Sequence, residues 1–256
     1  PASGDILALA SWPVFNPNVF VPSISAEKYG QLQTDPDVPL IPRAYRSAYP
    51  AGSTFKVFIG LAALQSGAIT PDTEFECPPA FFLGKLRFGN WKKEHMGSMN
   101  FADALTQSCN TWFYQCGIKT GKGAIVDWSG RIGFGARTGI PLASETSGRV
   151  PNDDYMLKTY KRKLLEGDVA NLSIGQGDLL ISPLQMAQAM MVIGNGGFLY
   201  QTRLVSQVQD SREQIVTAYN VRVKDKLEID PKNLAAIHKG MVQVVSGGMG
   251  TAGSAS

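Results

Sequence analysis

Ser53-Thr54-Phe55-Lys56 sets a hydroxyl and an amine three residues apart. On a helix, positions i and i+3 share a face, so Ser53 Oγ and Lys56 Nζ can meet. A serine becomes an effective nucleophile when a neighbouring base takes its proton. A lysine becomes that base when burial and nearby positive charge lower its pKa. The N-terminal end of a helix supplies part of such a field. A capping serine beside a snorkelling lysine would leave the same two letters. Further along, Ser108-Cys109-Asn110 places a second hydroxyl two residues from an amide. That pair suits a bridge between a catalytic amine and a substrate peptide group; its plainer use is to satisfy loop backbone.

The elements that must hold these groups are partly legible. Tyr49-Pro50-Ala51-Gly52 has turn chemistry, and from Ser53 the chain runs through Phe55, Val57, Phe58, Ile59, Leu61, Ala62, Ala63 and Leu64 to a stop at Gly67. A helix that is apolar on nearly every side belongs in a core. A lysine there needs a reason, and activation of Ser53 is one. Residues 101–116 read as helical, with a break in amphipathic order near Ser108. Further helices are expected at 123–132, at 183–194 behind a Ser182 cap and a proline at the first position, and from Asp230-Pro231 to about 245. Residues 4–11 and 198–208 read as strand. Residues 12–48 read as a Pro-rich irregular connection, 71–100 as loop with short pieces, and 153–166 as a mobile polar segment.

Composition narrows the class. The 256 residues suit one domain with a substantial core, and a net charge of +3 is too small to argue for nucleic acid. No apolar run approaches the ~20 residues of a membrane span. Three cysteines, Cys77, Cys109 and Cys116, make no disulfide framework. Cys109 and Cys116, read on one helix, lie roughly 10.5 Å apart, beyond the ~7 Å limit for bridging. A metal cluster of Cys77, His95 and Cys109 lacks paired ligand spacing. A Ser-His-Asp triad would need His95 or His238, and neither has a recognisable context.

Taken together, Tyr49-Pro50-Ala51-Gly52-Ser53-Thr54-Phe55-Lys56 and the later Ser108-Cys109-Asn110 resemble the serine penicillin-binding proteins and their β-lactamase relatives. Gly4 to Ser11 with Phe15-Asn16-Pro17-Asn18 resembles the strand and turn before the nucleophile. Gly139-Ile140-Pro141-Leu142 with Glu145 and Gly148 resembles the segment after the second motif. Ile174-Gly175-Gln176-Gly177 and Ser182-Pro183-Leu184-Gln185-Met186-Ala187 resemble a helix entry of the class B members. Trp91-Lys92-Lys93-Glu94-His95 leans toward the elongation type, penicillin-binding protein 2. The matched stretches run from Gly4 to Ser246.

The resemblance implies a mixed α/β (α+β) chain with the penicillin-binding protein/β-lactamase-like transpeptidase fold, a helical subdomain plus an incomplete antiparallel sheet. Residues 1–256 would be a partial transpeptidase domain that lacks sheet strands at both ends, with a flexible tail over 246–256. Lys119-Thr120-Gly121 spells the family's third motif but sits in a Gly-rich exit between helices, where no sheet edge is expected. The resemblance places that motif beyond Ser256, together with the second oxyanion donor; the Ser53 N–H would be the first. It implies a peptidoglycan D,D-transpeptidase. Ser53 attacks a stem peptide ending in D-Ala-D-Ala, Lys56 is the base, Ser108 relays a proton, and Asn110 binds the substrate amide. No cofactor or metal is implied. The implied partners are such stem peptides, β-lactams, a glycosyltransferase and cell-elongation proteins, with no nucleic acid. The implied place is the periplasmic face of the bacterial inner membrane, anchored by an N-terminal helix absent from this chain. The basic residues Lys158, Lys161, Arg162 and Lys163 would be a solvated face or a contact to anionic cell-wall polymer or lipid headgroups. Two other readings stand beside this one. The first is a serine β-lactamase, for which Glu166 with Asn171 is the nearest second base although the spacing does not match. The second is a non-catalytic scaffold or β-lactam sensor.

Overall fold

Every residue from Lys56 to Leu64 is buried in the computed structural model, which describes residues 2–255. The Lys56–Gln65 helix is therefore the central post of the fold, as its all-round apolar sequence requires. It is entered through a tight 3₁₀ turn, Gly52–Phe55, so Ser53 sits just before the α-helix and remains exposed. Past Ser66 the chain turns at Gly67 with φ +70°, a left-handed conformation that costs glycine nothing.

Four helices pack on this post: Phe101–Thr106, Asn110–Thr120, Lys122–Ile132 and Pro231–Ser246. Aromatic side chains fill the spaces between them. Phe55, Phe58 and Phe134 form one cluster with ring centroids 4.9 to 6.0 Å apart. Phe75, Phe101, Trp112 and Phe113 form another. Gly60 is what lets Phe101 in, since a Cβ at that position would stand 2.2 Å from its ring.

The strands are short and antiparallel. Phe75–Glu76 pairs with Ser98–Met99, and Ala80–Leu83 with Leu86–Gly89. Phe198–Tyr200 pairs with Val223–Lys226, and Gln207–Gln209 with Ile215–Ala218. The architecture is mixed α/β with small antiparallel sheets. Pro183–Gly194 falls where its cap predicts, closed by a reciprocal Ser182–Gln185 capping box. No helix among the described residues is long and apolar enough to cross a membrane.

Several elements depart from the sequence reading. Residues 4–11 make only one parallel bridge, Asp5 to Arg203, because a strand needs a ladder and the pairing stops there. The Pro-rich stretch contains a helix, Ala26–Thr34, capped by Ser25, and the shorter Arg43–Arg46. The polar segment 153–166 starts with a helix, Asp153–Tyr160, which the sequence reading did not assign. Its order comes from afar: Asp153 is 2.7 Å from Lys122 Nζ and also accepts the Leu164 N–H. Glu166–Ser173 is a helix that periodicity did not announce; Gly117 lets its Ser173 approach the Asn110–Thr120 helix closely. Beyond Ser246 the chain folds back, with the Ala252 N–H donating to Val244 O and a 3₁₀ turn at Gly253–Ala255.

Candidate active site

Two backbones in contact set the turn that carries Ser53. The Gly52 N–H donates to Gly175 O at 2.8 Å. A Cβ on Gly175 would lie 2.0 Å from Gly52 O, and both glycines have positive φ. Only glycine tolerates this approach in this conformation. The motif Ile174-Gly175-Gln176-Gly177 thus buttresses the turn that carries Ser53.

Ser108 is positioned by the way a helix stops. Phe101–Thr106 ends with the Ser108 N–H on Leu105 O and the Cys109 N–H on Ala104 O, the paired bonds of a Schellman motif. The residue at this corner is left-handed and is usually glycine; here it is Ser108, at φ +51°. A side chain in that conformation costs about 1 kcal/mol, so the hydroxyl is kept against local preference. The next helix begins at Asn110, whose N–H, an orphan donor, is taken by Asn90 Oδ1 at 3.0 Å.

Lys56 joins these pieces. Its Nζ donates to Ser108 O at 2.8 Å, to Ser108 Oγ at 3.1 Å and to Asn110 Oδ1 at 2.6 Å. Ser108 Oγ donates to Ser53 Oγ at 2.9 Å. The hydrogen-bonded path from Lys56 to Ser53 therefore runs through Ser108, whereas the sequence spacing suggested direct contact. Asn110, expected at the substrate amide, has its oxygen committed to Lys56. Three acceptors saturate the three protons of an ammonium. Among the described residues no carboxylate pairs with it, and the residue is fully buried. Burial pushes the Lys56 amine down from 10.5 to about 7. Once neutral, the amine keeps two protons for the carbonyl oxygens of Ser108 and Asn110 and turns its lone pair to Ser108 Oγ. The hydroxyls then rotate, and Ser53 can pass its proton toward Lys56.

Ser53, Ser108 and Asn110 open on a cavity of about 590 Å³, walled by Trp91 and by Gly248 to Thr251. Sequence reasoning missed Asn90 as a support and used Trp91 only for its pattern. Both lie on the strand-and-turn segment after Leu86–Gly89, and Trp91 Nε1 donates to Gln107 O at 3.1 Å. A tryptophan beside a polar turn was the available signal; nothing local tied Asn90 to Asn110.

The remaining candidates lie elsewhere. Lys119-Thr120-Gly121 closes the Asn110–Thr120 helix, with Lys119 over the Phe75 ring and Thr120 Oγ1 on Cys116 O. Cys77, Cys109 and Cys116 are buried and free; Cys109 is the N-cap of its helix, and burial pushes Cys116 up to about 12. His95 is exposed, facing Glu76 at 3.5 Å. Glu166 is exposed in the first turn of its helix and does not line the Ser53 cavity.

Known proteins share this arrangement of chain. The family model described as penicillin binding protein transpeptidase domain matches residues 1–256. The peptidoglycan D,D-transpeptidase MrdA of Escherichia coli K12 is 36% identical over 217 residues, 84% of this chain and 34% of that protein. The chain thus spans about a third of the length of this curated relative. Penicillin-binding protein 2 of Pseudomonas aeruginosa, solved in complex with WCK 5153, superposes with a TM-score of 0.91 at 30% identity, over 100% of this chain and 58% of that one. Penicillin-binding protein 2 of Helicobacter pylori, solved in complex with MreC, gives 0.83 at 32% identity, over 94% of this chain and 44% of that one.

Proposed function

The chain belongs to the penicillin-binding protein transpeptidase family, and on that premise we propose that it carries out acyl transfer from peptidoglycan stem peptides through Ser53. The observation that supports this most is the continuous path from Lys56 through Ser108 to Ser53. Lys56 is the base that receives the Ser53 proton by way of Ser108. Ser53 Oγ attacks the carbonyl of the penultimate D-Ala, and the Ser53 N–H donates to the oxyanion that forms. Ser108 returns the proton to the leaving D-Ala amine. The amine of a second stem peptide then attacks the acyl-serine, leaving a new peptide cross-link and a free Ser53. Asn110 holds Lys56 through its oxygen and offers its amide N–H groups to the substrate backbone. β-Lactams enter the same chemistry as acylating agents.

The same reading places the protein at the periplasmic face of an inner membrane, beside a glycosyltransferase and elongation proteins; the relative solved with MreC supports such a partner. A main activity of β-lactam hydrolysis is disfavoured, since Glu166, its nearest water-activating candidate, does not line the cavity. A purely structural role is disfavoured by a fully buried lysine that has no carboxylate partner among the described residues and is aimed at a serine pair. The test is the intact mass of the chain after exposure to benzylpenicillin, beside a Ser53→Ala control. An adduct on the parent alone supports the reading. If none forms on this chain, nor on one extended past Ser256, the transpeptidase proposal is lost.

A further inference from the structure

Cys109 stands between Ser108 and Asn110, the two residues whose oxygens hold Lys56, yet the proton path does not use it. Its thiol is hydrogen-bonded to that of Cys77, more than thirty residues earlier, and both residues are fully buried. Bonds on each side fix this meeting. The Cys77 N–H donates to Gly97 O and Cys77 O accepts the Met96 N–H, each at 2.9 Å, so Cys77 is held in line just past the Phe75–Glu76 strand. The next carbonyl, Pro78 O, accepts from Thr111 Oγ1 at 3.0 Å, and Thr111 Oγ1 lies 3.3 Å from Cys109 Sγ. Asn90 Nδ2 donates to Cys109 Sγ at 3.6 Å. The hydrogen bond between the thiols lowers the pKa of Cys109 and raises that of Cys77, so Cys109 ionises first.

We propose that Cys77 and Cys109 are a disulfide-forming pair, whose bond staples the Ser108–Asn110 corner to the end of the Phe75–Glu76 strand. The oxidant is an external disulfide. The Cys109 thiolate attacks one of its sulfurs and expels a thiolate; Cys77, giving up its proton, then attacks Cys109 Sγ and expels the second. Two cysteine thiols lose two protons and two electrons, and the external disulfide becomes two thiols. Because both cysteines are buried in the finished fold, the exchange takes place while the chain folds, before the core closes over them. The sulfurs must close to about 2 Å, a short approach for thiols already in contact. The loop so closed carries the Ala80–Leu83 and Leu86–Gly89 hairpin, Asn90 and Trp91, so the bond fixes both ends of the segment that supports Asn110 and walls the Ser53 cavity. This pairing stands on the geometry of the thiols and is independent of the acyl-serine reading.

The experiment unfolds the whole chain in reductant and refolds it either in a mixture of oxidised and reduced glutathione or in reductant alone. Folding is followed by circular dichroism, and free thiols are alkylated in denaturant before intact mass is measured. The glutathione-treated parent is expected to carry one alkyl group, on Cys116, and to yield on proteolysis a peptide pair joined through Cys77 and Cys109. The parent refolded in reductant alone is expected to carry three. The joined form is expected to melt about 10 °C above the reduced form, since the bond restricts a loop of the unfolded chain. Cys77→Ala is expected to show neither the internal bond nor the melting difference, and Cys116→Ala is expected to keep both. The peptide map of the parent decides the pairing even where a variant fails to fold. Three alkylated cysteines in a folded, glutathione-treated parent would overturn the pair. So would a bond through Cys116, glutathione retained on Cys109, or a parent that folds only in reductant. Equal melting of the joined and reduced forms would overturn the staple.

Discussion

Ser108 Oγ lies 2.9 Å from Ser53 Oγ, on a backbone corner that glycine would occupy more cheaply. Lys56 Nζ donates to this same hydroxyl oxygen, at 3.1 Å. The corner therefore couples two properties that substitution can separate. Ser108→Ala and Ser108→Gly both remove the relay, and benzylpenicillin acylation is expected to slow about 10²-fold or more in each. Ser108→Gly also releases the left-handed strain. By chemical denaturation it should be about 1 kcal/mol more stable than Ser108→Ala. Equal stability of the two variants would rule out the strain.

The pH dependence follows from Lys56. Burial sets its folded pKa near 7, so the acylation rate is expected to rise with pH through about 7 and then level. Asn110→Asp would place a carboxylate where Lys56 now donates at 2.6 Å. An opposite charge holds the proton on the amine. The rising limb is expected to move to higher pH, read from stopped-flow acylation at constant ionic strength. A limb that stays in place would separate the limb from Lys56.

Stability should carry the same signature. The Lys56 folded pKa lies below the unfolded value near 10.5. Between pH 7 and 10 the unfolded chain binds a proton that the folded chain does not, so stability rises with pH across that window. The penalty is complete below pH 7. Measured against Lys56→Met, the parent is expected to gain about 1.4 kcal/mol per pH unit within the window. Parallel stability curves for the two proteins would contradict this.

Gly175 tests the buttress. Alanine there meets Gly52 O and sits at φ +72°. The Gly175→Ala chain is expected to fold with a loss of about 1–3 kcal/mol and to acylate far more slowly than that loss explains, because the Ser53 turn must shift. Acylation at the parent rate would show that the turn is set elsewhere.

Gly60→Ala probes the core without touching the chemistry. The new methyl group collides with Phe101, and overpacking should lower stability by about 1–3 kcal/mol. Acylation per folded molecule is expected to stay within about twofold of the parent.

Particular residues show what was legible. The Lys56–Gln65 helix could be read because its apolar residues run in unbroken local order, and Pro183–Gly194 because its cap and proline are adjacent in sequence. Ser53, Lys56, Ser108 and Asn110 were legible as a set by type, spacing and family resemblance, and the structure brings all four together. Residues 4–11 misled because strand pattern is local but a ladder requires a neighbour. Asp153–Tyr160 misled because its order depends on Lys122, more than thirty residues away.

What the sequence determined by itself was the inventory: two hydroxyls, an amine and an amide, with an apolar helix able to bury the amine. Local chemistry sufficed, because spacing and turn residues act over a few positions. Tertiary structure decided the wiring. It inserted Ser108 between Lys56 and Ser53, put Asn110 on Lys56, brought Asn90 under Asn110, and set Trp91 at the rim. Each of these joins residues distant in the chain, and such contacts depend on how helices stop and pack. The lowered Lys56 pKa belongs to the same level, because desolvation is a property of the assembled core and of no segment within it.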